Sequence, residues 1–169
     1  MIILGIDPGI AIMGYGILKM SGNRIKVLEN GVVTTSPKTK TPQRLKILYD
    51  NLNDIIKEYR PDEFAIEELF FNQNVKTAIT VGHARGVQVF CAENNNLPIY
   101  EYTPLQIKQA ITGYGRASKK QMQETVTTLL NLSQVPKPDD AADALAVALC
   151  HSFSQRFKEN FRMNWWFHI

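Results

Sequence analysis

Three β-like runs crowd the first 35 residues, at 2–6, 12–19 and 24–35, separated only by Asp7-Pro8-Gly9 and Ser21-Gly22-Asn23. Turn chemistry spaced this closely predicts an antiparallel meander of three strands. Beyond it the period changes. Thr41 is an N-cap candidate with Pro42 behind it, and Leu45, Leu48, Leu52, Ile55, Ile56 and Tyr59 recur at helical spacing until Arg60-Pro61. Residues 64–66 read as a short buried strand running into Glu67-Glu68. After Asn72-Gln73-Asn74 a helical pattern covers 75 to about 94, and 97–102 reads as another strand. Thr103-Pro104 opens a short helix to Thr112, and Ser118 with Gln121 forms a capping box opening a helix to about Leu132. Pro136-Lys137-Pro138 breaks that helix, and a last one starts at Asp139-Asp140, where acids suit the helix dipole, and runs to at least Phe153. This order belongs to the α/β class, a mixed sheet with helices packed on its faces.

A chain of 169 residues is expected to form one domain, and its 44% apolar and 21% charged residues exclude disorder and coiled coil. Cys91 and Cys150 sit in apolar surroundings without a CxxC pair, so neither a disulfide framework nor a zinc ribbon is expected. No basic leader precedes the first strand and no apolar run reaches the ~20 residues of a membrane span, so a cytoplasmic protein is expected. The net charge of +3 names no partner by itself, yet residues 31–49 and 103–123 each carry four Lys or Arg and no acid.

The acids carry more information. Asp7 follows an apolar strand and Glu67 ends another, so each carboxylate is expected at a strand terminus, with Glu68 pointing to the opposite face. Asp140 and Asp143 are spaced i, i+3 on one helical face among Ala141, Ala142 and Ala144, which allow close packing. A turn-forming Asp, a solvated loop acid and a dipole-stabilised helix start are the plainer roles for these residues. If the four converge, an all-oxygen donor set without His or Cys suits Mg²⁺ or Mn²⁺, and two divalent ions balance four negative charges. Two such ions can activate a water and stabilise a leaving oxygen in phosphodiester hydrolysis.

Gly5-Ile6-Asp7-Pro8-Gly9 with Gly14-Tyr15-Gly16, Ala65-Ile66-Glu67, Gly82-His83-Ala84-Arg85-Gly86 and Asp140-Ala141-Ala142-Asp143-Ala144-Leu145-Ala146 together resemble the RuvC family of Holliday-junction resolvases. The resemblance spans about residues 1–153, the expected nuclease domain. It implies a ribonuclease-H-like fold, here a mixed five-stranded sheet with helices on both faces. It also implies a homodimer and metal-dependent nicking of two like-polarity strands of a four-way DNA junction, leaving 5′-phosphate and 3′-hydroxyl ends. The family's four catalytic acids fall on Asp7, Glu67, Asp140 and Asp143. A two-fold dimer places two equivalent sites on a two-fold junction, which gives dimerisation a physical reason. Functional coupling to the RuvA–RuvB branch-migration motor is a further implication.

In the basic stretch, Lys108, Arg116, Lys119 and Lys120 flank the loop Gly113-Tyr114-Gly115, which can present charge to phosphates or be a solvated run. The resemblance places Lys108 and Lys119 at or near the scissile phosphate and leaves Arg116 and Lys120 to backbone attraction, extended by Lys38, Lys40, Arg44 and Lys46. It also selects Phe70 over Phe71 as the base-contacting aromatic. Ala78, Gly82 and Gly86 recur every four residues, fitting either sheet packing or a dimer seam. His83 is expected to be structural, and His151 lies 11 residues beyond Asp140, ~16 Å along the helix, so neither is expected to bind metal. From Phe153 into the tail 154–169, aromatics recur every four residues at Phe153, Phe157, Phe161 and Trp165, predicting an amphipathic helical extension that packs on its own domain first, with a partner or DNA contact second and membrane-surface association third. Two other functions compete with the nuclease: a noncatalytic junction-binding module with structural acids, and an actin-like nucleotide-binding fragment, for which the chain is too short.

Overall fold

The computed structural model describes residues 1–69 and 75–163. Strands β1 (Ile2–Asp7), β2 (Ile12–Ser21) and β3 (Arg24–Thr34) form the antiparallel meander. β4 (Glu63–Glu67) and β5 (Ile99–Tyr102) continue the sheet parallel to β1, in the order β3-β2-β1-β4-β5. Parallel neighbours need a crossover. Helix α2 (Val75–Asn94) crosses from β4 to β5, and α1 (Thr41–Tyr59) brings the chain back from β3 to β4.

Strand alternation divides the interior into two cores. Leu4, Ile6, Phe64 and Ile66 face α1 and α2, where they meet Leu48, Leu52, Ile56, Ala84 and Cys91. Ile3, Leu18, Ala65, Tyr100 and Tyr102 face α3 (Pro104–Thr112), α4 (Lys119–Leu129) and α5 (Asp139–Phe153). Helices therefore cover both faces. The two cysteines lie in different cores, both free, so the sheet itself separates them.

Helix α5 is the central pillar. Every residue from 141 to 152 except Asp143 is buried, as expected of a helix apolar on all sides. It lies almost in backbone contact with β1 and β2. A Cβ on Gly5 would come within 2.4 Å of the Ala144 carbonyl oxygen, and one on Gly16, its register partner, within 2.8 Å of Leu145. Small residues on both sides of this seam are what the close approach requires.

Local signals held in two places and shifted in two. Thr103 with Gln106 and Ser118 with Gln121 form reciprocal capping boxes on α3 and α4. At α1 the cap falls on Lys40 rather than Thr41, and its side chain makes no capping bond. The expected helical extension is corrected too. α5 stops at Phe153, and after a turn only a short 3-10 helix forms over Lys158–Phe161. Tertiary contacts override the four-residue repeat: Phe161 packs on Tyr102 with ring centres 4.8 Å apart, Arg162 bridges to Tyr100, and the Met163 amide donates to the Ile99 carbonyl at 2.9 Å. The tail thus covers β5, which would otherwise be a bare sheet edge. Phe153 and Phe157 stay exposed, and Trp165 lies outside the described residues.

Candidate active site

Asp7 and Glu67 are the last residues of β1 and β4. The strands are parallel, so both carboxylates emerge at one pole of the sheet. They also share a face. Gly5 and Ala65, two residues earlier in each strand, lie on the α5 side, and strand alternation returns Asp7 and Glu67 to it. The start of α5 is pressed against the same pole, because a Cβ on Gly14, the register partner of Asp7, would come within 2.0 Å of the Asp140 carbonyl oxygen. α3 begins there as well, directly after β5, and carries Lys108.

The electrostatics record this convergence. Burial pushes the Asp7 carboxyl up to about 8, helped by the charges of Glu67, Asp143 and Asp140 and opposed by Lys119. Glu67 is pushed up to about 7 by burial and by Asp143, against Lys108 and Lys119. Asp143 is raised by burial despite its pairing with Lys119. Lys119 Nζ lies 3.2 Å from both Asp143 Oδ2 and Asp139 Oδ2. Burial works against the charged form of Lys119, but these carboxylates outweigh it and raise the ammonium above its ordinary value. A cleft of about 240 Å³ opens between Glu67, Lys108, Lys119 and Asp143, floored by Ile107, Met122 and Ala146.

Burial is the largest cause of these rises and the neighbouring acids add to it, so ionising the whole set calls for more positive charge than Lys108 and Lys119 supply. The donors are hard oxygens, as Mg²⁺ and Mn²⁺ prefer, and the chemistry of the set fits a divalent ion. Among the described residues, however, no three His, Cys, Asp or Glu side chains close up into a metal cage. The four acids share a pole without enclosing a point. Asp143 is engaged instead by Lys119, 3.2 Å from its Oδ2.

The other predicted residues sort clearly. Lys108 and Lys119 line the cleft. Arg116 is exposed in the turn before α4, and Lys120 points to solvent, 3.8 Å from Glu124 one turn along. Arg44 turns inward instead, donating from Nε to the Thr35 hydroxyl at 2.8 Å. Phe70 and Phe71 lie outside the described residues. His83 is exposed, while His151 is buried between Tyr102 and Glu63, at the opposite end of β4 from Glu67. Gly82 and Gly86 face open space, which removes sheet packing as the reason for the small-residue repeat. Asp139, Lys119's second partner, reads from sequence only as a helix-start acid, although it also lies four residues before Asp143 on the same helix.

The family model for the crossover junction endodeoxyribonuclease RuvC matches residues 3–151. The crossover junction endodeoxyribonuclease RuvC of Alkaliphilus oremlandii is 63% identical over 163 residues, covering 96% of this chain and 99% of that protein. Among solved structures, Thermus thermophilus RuvC superposes with a TM-score of 0.86 at 34% identity, over 96% of this chain and 98% of that one. The same protein solved with a Holliday junction substrate matches with a TM-score of 0.84 at 34% identity, over 92% and 96% of the two chains. The sheet order and helical layers described above are those of this ribonuclease-H-like fold. The chain belongs to the RuvC family of crossover junction endodeoxyribonucleases.

Proposed function

We propose that this nuclease resolves four-way DNA junctions by paired symmetric nicks, with Asp7, Glu67, Asp140 and Asp143 holding two Mg²⁺ ions, replaceable by Mn²⁺, in each active site. The observation that carries the reading is geometric: Asp7 and Glu67 end two parallel strands on the α5 face, and the start of α5, with Asp140 and Asp143, is pressed against the same pole. The rise of the Asp7 carboxyl, from burial first and the three other acids second, agrees with it. Bound divalent ions would supply an activated water and charge stabilisation for the leaving oxygen. The protein's own groups do the rest. Lys108 and Lys119 line the acid-bounded cleft and offer positive charge to a phosphodiester seated there. Lys119 also holds Asp143 and Asp139 in place through its two ion pairs. Arg116 and Lys120, exposed beside the cleft-forming helix, add attraction to the DNA backbone without reading sequence. Phe70 is assigned to base contact near the crossover on the family resemblance.

A homodimer follows from the substrate's symmetry, since paired cuts need two equivalent sites. The open stripe of Gly82 and Gly86 on α2, beside exposed Ile79, offers a surface for a second copy. Coupling to the RuvA–RuvB motor and a cytoplasmic location complete the reading. Among the described residues no helix is long and apolar enough to cross a membrane.

The test is a synthetic four-way junction with Mg²⁺, with strand ends mapped for the parent, Asp7→Asn and Asp143→Asn. Paired nicks with 5′-phosphate and 3′-hydroxyl ends are expected from the parent alone, with junction binding kept by both variants. Cutting that survives both substitutions, or that proceeds in EDTA, would refute the assignment. Binding without cutting by the parent would return the noncatalytic module.

A further inference from the structure

Two α2 side chains have no part in the chemistry above, yet both reach the acid-bearing strands. Arg85 and Gln88 are three residues apart and share the inward side of the helix. Arg85 Nε donates to the backbone carbonyl of Glu67 at 3.4 Å, while its terminal nitrogen is anchored to Glu101 Oε2 at 2.6 Å. Gln88 Nε2 donates to the carbonyl of Gly9, two residues past Asp7, at 3.5 Å. The next two carbonyls of that turn are held by Thr35, through its hydroxyl to Ile10 and its amide to Ala11. Gly9 is thus left to Gln88.

Gln88 is fully buried, and its Oε1 has no partner among the described residues. An unpaired buried acceptor is destabilising, and an apolar side chain of equal length would avoid it. What such a side chain could not do is donate to Gly9. We propose that Arg85 and Gln88 are positioning residues that hold the exits of β4 and β1 from the face opposite α5, and so set the separation of the Glu67 and Asp7 carboxylates. The inference rests on reading those two acids as metal ligands. Both anchors sit on one rigid helix, so the two exits are referred to a common frame.

Gln88→Met keeps the length and removes the donor, and Arg85→Lys keeps the charge facing Glu101 while removing Nε. Four quantities are read on the whole protein: Mn²⁺ binding by calorimetry without DNA, melting temperature, junction binding in EDTA, and the Mg²⁺ dependence of junction cutting. Gln88→Met is expected to melt close to the parent, since relief of the unpaired Oε1 offsets loss of the bond to Gly9, to bind the junction unchanged in EDTA, and to bind Mn²⁺ about tenfold more weakly, with a matching rise in the Mg²⁺ needed for half-maximal cutting. Arg85→Lys should shift in the same direction. Unchanged Mn²⁺ affinity in the two variants overturns the inference, and so does weakened binding that merely tracks a lower melting temperature in both. Asp7→Asn separates the levels: if it binds Mn²⁺ like the parent, the reading of the acids fails as well.

Discussion

Glu63 and Glu67 stand at the two ends of β4 and face the same helix, α5. Their surroundings are opposite. Glu63 is 6% exposed and fully engaged: His151 Nε2 donates to Oε2 at 2.7 Å, Gln155 donates to the same oxygen at 3.1 Å, and Lys158 pairs with Oε1. Burial alone would raise its pKa, but the hydrogen bonds from Lys158, His151 and Gln155 bring it below the ordinary value. His151 is lowered by burial against the pull of Glu63, so its ring is neutral near pH 7, with Nε2–H on Glu63 and Nδ1 accepting from the Tyr102 hydroxyl 2.6 Å away. At the other end Glu67 is half-buried beside Asp143 and driven up to about 7, by desolvation first and that charge second. One strand therefore carries a carboxylate held ionised by three donors, two of them from the tail, and another raised by burial among like charges. The lesson is that burial does not assign a role to an acid; the count of donors around it does.

The comparison can be tested, beginning with its largest expected effect. Asp7→Asn should reduce cutting by ~10³-fold, since metal-based charge stabilisation is worth several kcal/mol and each ~1.4 kcal/mol is tenfold in rate. Junction binding should persist, and quantitative gel assays of both would check it. A variant that cuts normally would erase the distinction between the two ends.

At the closed end, Glu63→Gln leaves a buried imidazole and an ammonium without their anion. Breaking a buried pair costs ~3–5 kcal/mol, but Lys158 is 27% exposed and the amide still accepts, so about 2 kcal/mol is expected. That lowers the melting temperature by ~4–8 °C while cutting at low temperature stays at the parent rate. Impaired cutting by a stable Glu63→Gln protein would show the two ends to be coupled.

The pH dependence separates them further. In EDTA, Asp7 and Glu67 titrate at about 8 and about 7 folded, against 3.8 and 4.5 unfolded, so the folded state binds more protons between these limits. Their contribution to stability is therefore full below pH ~4 and is lost as pH rises to ~8. Glu63 behaves oppositely, its contribution being present above 4.5 and lost as pH falls through its lowered folded value. His151, held below 6.5, adds stability as pH rises through that value, so the acid pole is isolated by subtracting an Asp7→Asn/Glu67→Gln double variant. Thermal melts from pH 4 to 8 should show the parent losing stability relative to the double variant in EDTA, and a smaller loss with Mg²⁺. Parallel curves would contradict the charge imbalance. The smallest effects belong to the lysines: Lys158→Met should destabilise by about 1 kcal/mol and Lys119→Met, 56% exposed, by less than about 0.5 kcal/mol. In cutting assays the order should reverse.

Much of this was legible without coordinates. The meander, the crossover pattern and the pairing of Asp140 with Asp143 follow from local periodicity, which neighbouring residues alone dictate. Asp7 and Glu67 were readable as strand-terminal acids for the same reason. Glu63 attracted no attention, because a charged residue opening a strand looks solvent-facing until His151 and Lys158 arrive from 88 and 95 residues away. Arg85 was visible only as part of a motif, and Gln88 not at all, since backbone carbonyls they reach leave no trace in composition. The tail misled for a related reason: its four-residue aromatic repeat is a helical signal, but Tyr100 and Tyr102 offered Phe161 and Arg162 a better partner than one another.

Element types, their order and the chemical identity of the acids were set by the chain itself, because hydrophobic period, turn residues and capping pairs act over a few residues. Which faces those acids share, which of them is neutralised and which left bare were decided by tertiary structure alone. Strand parity, the parallel register of β1 with β4, and the glycine seam under α5 join residues far apart in the chain, and charge compensation depends on distance in space.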